Sequence, residues 1–276
     1  GVKDYLGMAL HLAEVPKMRC TINLVPSLLV QLRAYTEQGA TDRFEMAARI
    51  PARELSRDDS IYLLDHYFMA SPETMIKPWP RYWELYQRRA LGKNSASDAL
   101  RRFQERDFRD LQTLFNLAWI HPLIYERDPE LRELREKGRN FTEEDKHRVL
   151  DKHRELLKEI IPLHKKLLES GQVELTTTPF YHPILPLLFD KKFAREAMPD
   201  VKLPRYTGGY PEDAELHVRR AIAYHADLFG APPVGMWPAE GSVCQAMIPL
   251  LADNGIRWIA TDEGILAQAT QGFLSP

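Results

Sequence analysis

The last third of the chain alternates strand-like and helix-like segments, and this alternation limits the possible folds more than any other feature. Gln172-Val-Glu-Leu-Thr-Thr177 reads as a strand. Pro211-Glu-Asp opens a helix whose stripe is Ala214, Val218, Ile222, His225 and Phe229, and Gly230 closes it. Pro233-Val-Gly-Met-Trp237 is the next strand. Ser242 is placed to cap a helix running to Asn254 with Gly255 at its end, and Arg257-Trp-Ile-Ala-Thr261 is a further strand. Strands separated by helices imply right-handed βαβ crossovers and a parallel sheet. With 276 residues the chain suits one barrel-type domain better than two small ones. The expected class is therefore α/β, a barrel-type domain with a parallel sheet and its chemistry at the C-terminal ends of the strands.

Upstream, Val2 to Leu12 reads as an amphipathic helix. Arg19-Cys-Thr-Ile-Asn-Leu-Val25 reads as a buried strand entering a helix, Leu28 to Gln38, that stops at Gly39. From Thr41 to about Gly92, charged helical patches alternate with Pro51, Pro72, Pro78 and Pro80, and a helical period returns from Ala96 to Leu117. Residues of about 39–117 are thus expected to be a mainly helical insertion. Asn116-Leu-Ala-Trp-Ile120 resembles a short strand ending in His121-Pro122. Thr142-Glu-Glu-Asp145 signals the cap of a long helix to about Leu168, with Pro162 as a candidate kink.

Composition closes off several classes. The net charge of -2 and pI near 6.6 provide no basic field for nucleic acid or anionic lipid. No apolar run approaches the roughly 20 residues that cross a bilayer. Two cysteines, Cys20 and Cys244, both in apolar segments read as buried, do not make a disulfide framework, so a reducing, cytoplasmic setting is expected. Oligomeric state is not legible. The start on Gly1 and the end in Gly272-Phe-Leu-Ser-Pro276 read as cuts inside a longer protein.

The strand outlets hold the candidate chemistry. Glu240 follows an apolar strand behind Trp237-Pro238 and stands just before an expected helix start, whose dipole favours an anion. Trp237, three positions earlier, provides a face for a sugar ring. A carboxylate beside a stacking platform suits a glycosidase nucleophile, whereas the plainer reading is a favourable helix-start residue. Glu174, mid-strand among apolar residues, needs a partner, either sugar hydroxyls or an ion pair with a neighbouring strand. His182 is a sugar donor or a residue fixing its own loop. Asp262 is an active-site hydrogen-bonding group or an N-cap. Trp119, with His121, reads as an extension of the sugar-binding surface or as an ordinary partly buried indole. His147, His153 and His164 read as a solvated helix face, and Tyr82, Trp83 and Tyr86 as a local core of the insertion or, as the alternative, a glucan-binding rim. No His-Glu-x-x-His, Cys-x-x-Cys or Asp-His set is present, so no metal and no cofactor are expected.

Two segments, Gly171-Gln-Val-Glu-Leu-Thr-Thr-Thr-Pro-Phe-Tyr-His-Pro183 and Gly235-Met-Trp-Pro-Ala-Glu240-Gly-Ser242, resemble the second and third conserved regions of glycoside hydrolase family 57. The resemblance runs at intervals from Arg19-Cys-Thr-Ile-Asn-Leu-Val-Pro26 through Phe115-Asn-Leu-Ala-Trp119 to Asp262. It implies an incomplete (β/α)7 TIM-like barrel and a retaining, two-step reaction on α-glucans. The enzyme would be an α-amylase, an amylopullulanase or a 4-α-glucanotransferase. Glu240 would be the nucleophile, and Trp237 and Glu174 would line the site of the transferred sugar. The family's first conserved region and its acid/base aspartate have no counterpart here. They are expected before Gly1 and past Pro276, and the fragment alone is expected to be inactive. Two other readings stay open: a metal-dependent carbohydrate deacetylase-like enzyme, and a catalytically silent glucan-binding module.

Overall fold

The strand β1 (Cys20–Asn23) forms where β-branched Thr21 and Ile22 meet the stop at Pro26, and it pairs in parallel with β2 (Val173–Thr176). The register sets Cys20 opposite Val173 and Asn23 opposite Thr176. The Thr176 hydroxyl donates to Asn23 Oδ1 across the pair at 3.1 Å. A second parallel pair joins β3 (Gly235–Met236) to β4 (Trp258–Ile259). An isolated parallel bridge, Thr177 to Met236, links the outlet of β2 to β3. The computed structural model describes residues 1–270, and residues 271–276, which include the terminal Gly272-Phe-Leu-Ser-Pro276, lie outside them. Among the described residues every strand pair is parallel, as the strand–helix alternation requires, and helices make up most of the rest. No described helix is long and apolar enough to cross a membrane.

The chain divides into two compact units. One comprises Val15–Gln31 with His164 onward, and the other Gly1–Glu14 with Leu32–Leu163. The first holds all four described strands. Its central helix, Pro211–Phe229, starts on a proline, carries Glu212 and Asp213 in its first turn and closes on Gly230 at φ 88°. The helix buries Ala214, Val218, Ala221, His225 and Phe229, while the predicted Ile222 is only partly covered. Ala214 and Val218 pack with Leu185, Met236, Met247, Leu251 and Ile256 into one core. Each large apolar side chain buried there contributes about 1.5–3 kcal/mol. Cys244 is buried in that core, Cys20 is half-exposed, and both are free thiols.

The other unit is helical, as expected for 39–117, and lies around the segments Arg57–His66, Pro80–Arg89 and Glu105–Ala118. Tyr67 and Tyr82 are fully buried. Their hydroxyls donate to the Phe44 and Tyr67 carbonyls, which satisfies the polar tip each ring brings into the core. The Tyr82 cluster is thus the local core anticipated from sequence. Arg81 is buried, donating to Asp110 at 2.8 Å and to Asp107 at 2.5 Å. Burial pushes the Asp107 carboxyl up, but the Gln104 N–H and the Arg81 and Arg88 guanidiniums outweigh it and hold it below its ordinary range.

Several local expectations are corrected. Asn116–Ile120 is not a strand: the helix continues to Ala118, because Asn-Leu-Ala-Trp has no β-branched residue and the helical stripe Leu111, Leu114, Phe115, Ala118 is buried. The cap at Thr142 is as read, with Thr142 N–H and Asp145 N–H bonded reciprocally to each other's side chains at 2.8 and 3.1 Å. The helix it starts, Glu143–Glu169, continues through Pro162. His153 and His164 are not on a solvated face. They fall on the i, i+3/i+4 stripe with Val149, Leu156, Ile160 and Leu167, so His164 is buried and His153 half-buried. His153 Nε2 donates to the Asn116 carbonyl at 2.9 Å, and burial lowers its pKa to about 4. Ser242 does not cap a helix. Regular helix begins only at Ile248, where Pro249 suits the first turn.

Candidate functional site

β3 runs out through Trp237 and Pro238 into a single tight turn, Ala239–Gly241. The Trp237 N–H donates to the Thr177 carbonyl at 2.9 Å, tying this outlet to that of β2. Pro238 sits at φ -55°, which its ring imposes, and directs the chain into the turn. Glu240 then occupies the left-handed region, φ 55° and ψ 23°, followed by Gly241 at φ 68°. A glutamate there costs about 1–3 kcal/mol and persists only where its surroundings impose it. Those surroundings are the Gly241 N–H to Pro238 carbonyl bond at 2.8 Å and the Thr261 hydroxyl donating to the Gly241 carbonyl at 2.7 Å. The expectation of a helix-dipole site for Glu240 is therefore corrected: no α-helix starts at this turn.

His182 meets Glu240 from the β2 side. Its Nε2 lies 2.8 Å from Glu240 Oε1, and its ring is 5.3 Å from the Trp237 ring at an interplanar angle of 54°. His182 also has positive φ, 60°. The helix Pro211–Phe229 holds its loop: Phe180 N–H donates to the His217 carbonyl at 3.2 Å, Tyr181 N–H to His217 Nδ1 at 3.3 Å, and Arg220 lies 4.3 Å over the Phe180 ring. The Glu240 side chain is 67% exposed, so solvent and ligands reach it.

Asp262 follows β4 and caps the short helix Glu263–Ala269, accepting from the Gly264 N–H at 2.7 Å. The N-cap alternative is thus what its side chain does, while its backbone passes the Glu240 turn: a Cβ on Gly241 would lie 3.5 Å from Asp262 N. Glu174 is the second residue of β2, three positions before its outlet at Thr177. It accepts from the Trp258 indole N–H at 2.9 Å rather than from a cation. Trp258 rests on Gly235, where a Cβ would fall 2.3 Å from the indole ring. Sequence reading missed Trp258 and Thr261. The available signal was Gly235, a glycine inside a strand, which marks a close approach by a neighbour.

Trp119 belongs to the helical unit, so the structure does not place it in the Glu240 cluster. It follows the helix Glu105–Ala118, and its indole nitrogen is buried without a hydrogen-bond partner. With Phe44, Phe115, Asn116 and His153 it lines a cavity of about 380 Å³. His121 caps the helix Pro122–Arg127 and stands edge-on to His11 at 5.0 Å.

Comparison with known proteins adds three findings. The model of Glycosyl hydrolase family 57 matches residues 1–275. Alpha-amylase 1 of Dictyoglomus thermophilum is 28% identical over 99 residues, which is 36% of this chain and 11% of that protein. The crystal structure of the α-amylase AmyC from Thermotoga maritima aligns at 17% identity and a TM-score of 0.42, covering 95% of this chain and 34% of that one. The chain thus spans only a fraction of the length of either relative.

Proposed function

The chain belongs to glycosyl hydrolase family 57, and from that premise we propose that it carries the nucleophile of a retaining enzyme acting on α-glucans. Glu240 is that nucleophile. The observation that carries the reading is its carboxylate, open to solvent at the outlet of β3, bonded to His182 and beside the Trp237 indole. The all-parallel strand pairs support a (β/α)7 barrel as the frame, with residues 1–276 forming part of one catalytic domain. The two free cysteines support a reducing compartment.

In the first step a Glu240 carboxylate oxygen attacks the anomeric carbon, and the bond from that carbon to the leaving sugar oxygen breaks. A second carboxyl group, about 5–5.5 Å away in retaining enzymes, gives that oxygen its proton. In the second step the same group takes a proton from water or an acceptor hydroxyl, which displaces Glu240 and restores the starting configuration. No residue of this chain is assigned that part. Trp237 offers the stacking face. Glu174 and Asp262 are proposed sugar contacts, with Glu174 oriented by Trp258.

The test is Glu240→Gln in the full-length protein. Turnover of an α-glucan falls by about 10⁴-fold or more, since the amide is a poor nucleophile, while oligosaccharide affinity stays within a few-fold. A slow fluorinated glycosyl substrate adds its mass to the peptide containing Glu240 in the wild type and not in the variant. Retained turnover, or label on another residue, removes Glu240 from the mechanism.

A further inference from the structure

We infer that His182 is a positioning residue for Glu240: it fixes the nucleophile's direction rather than gripping the sugar, and it leaves Oε2 as the attacking oxygen. The inference rests on the functional reading above and deepens it.

The His182 ring is not needed to hold its own loop. That loop is pinned by backbone bonds from His182 N–H to the Pro179 carbonyl at 2.8 Å, and from Phe180 and Tyr181 to His217. The Glu240 side chain does not hold its own turn either, because Gly241, Ser242 and Thr261 do so. Each turn nevertheless keeps a non-glycine residue at positive φ, at 60° and 55°. Strain at two sites that meet through a hydrogen bond calls for a reason beyond either turn. The only described polar partner of the His182 ring is Glu240, since its Nδ1 is buried with none. A buried nitrogen cannot reach a sugar hydroxyl without rearrangement. A carboxylate oxygen accepts, so Nε2 is the donor to Oε1, and in the neutral ring Nδ1 is then the bare nitrogen. Leaving a weak acceptor bare is the cheaper of the two tautomers, because an unsatisfied buried N–H costs more.

The Glu240 side chain is 67% exposed and has three rotatable bonds to order. A single donor at Oε1 restricts them and turns Oε2 outward. The required precision is high, because a misplacement of about 1 Å at a reacting centre costs on the order of 10²-fold in rate.

Asparagine and glutamine distinguish the two nitrogens. The amide of Asn overlays Nδ1 and falls short of Glu240, whereas the amide of Gln reaches the place of Nε2. Asn also enters the left-handed region readily, so His182→Asn keeps the backbone and does not lower the thermal midpoint. In the full-length protein on an α-glucan, His182→Asn lowers kcat by about 10- to 100-fold with KM within about twofold. His182→Gln recovers most of that kcat. As an independent variant, His182→Gly keeps the turn, loses kcat and regains it with added imidazole.

A rise in KM with kcat intact in His182→Asn would make the histidine a sugar contact and overturn the proposal. Wild-type kcat in His182→Asn, or equal losses in the Asn and Gln variants, would also overturn it. If Glu240→Gln retains turnover, the functional reading fails and the proposal fails with it. If Glu240→Gln is inactive and His182→Asn is unaffected, only the positioning role is lost.

Discussion

The two units use positive φ for different ends. In the helical unit Ala90 adopts it, at 51°, to close the helix Pro80–Arg89, where its N–H donates to the terminal Tyr86 carbonyl. In the strand-bearing unit His182 and Glu240 adopt it and place two polar side chains against each other. Their treatment of charge also differs. The helical unit buries Arg81 between Asp107 and Asp110 and satisfies it there, whereas the Glu240 carboxylate faces solvent with one donor. One unit's polar groups are resolved by folding. The other keeps a polar group only partly resolved, the arrangement expected where a ligand completes it.

The largest expected effect tests the first half of this contrast. Arg81→Ala removes the cation that pairs with Asp110 and one of the two that pair with Asp107 in the helical core, and costs about 3–5 kcal/mol, read as a drop in the denaturant midpoint. A loss under about 1 kcal/mol would show that the pair is not what holds the unit. The second prediction concerns acid. For His153, pKa about 4 folded against 6.5 unfolded, the stability contribution is present above pH 6.5 and lost as pH falls toward 4. Burial alone pushes the Glu143 carboxyl up, but Lys146, the Ala52 N–H and Arg109 outweigh it and hold it at about 2. With an unfolded value of 4.5, its contribution is present above pH 4.5 and lost toward 2. After allowance for solvent screening this amounts to about 1–2 kcal/mol. Glu143→Gln should flatten the lower window in a stability–pH series, and an unchanged slope would refute the pairing. The smallest effect sharpens the other half. Glu240→Gly relieves the left-handed glutamate, raises stability by about 1 kcal/mol and eliminates turnover. A fall in stability would mean that the glutamate supports its turn.

These differences bear on what could be read from the sequence. The helix Pro211–Phe229, the cap at Thr142 and the strand cores were legible because each depends on neighbours close in the chain. Glu240 was legible as a strand-outlet carboxylate, but its backbone was not. Whether Ala-Glu-Gly continues as helix or turns back depends on the Thr261 hydroxyl some twenty residues away. His182 was visible as a residue of interest with two open roles, and bonding to Glu240 was neither of them. Trp119 was misplaced on a strand because Leu-Ala-Trp suits either conformation until its packing is known. His153 and His164 were misread for a simpler reason: charged neighbours drew attention away from an apolar stripe that the spacing already contained.

The contact between Gly235 and the Trp258 indole also orders how this part of the chain can change through descent. Any side chain at position 235 must first displace the indole, and with it the donor that holds Glu174. Position 258 can shrink on its own, whereas position 235 cannot grow until it has. Divergence here is therefore directional, and a relative with a larger residue at the equivalent of 235 should already have lost the tryptophan.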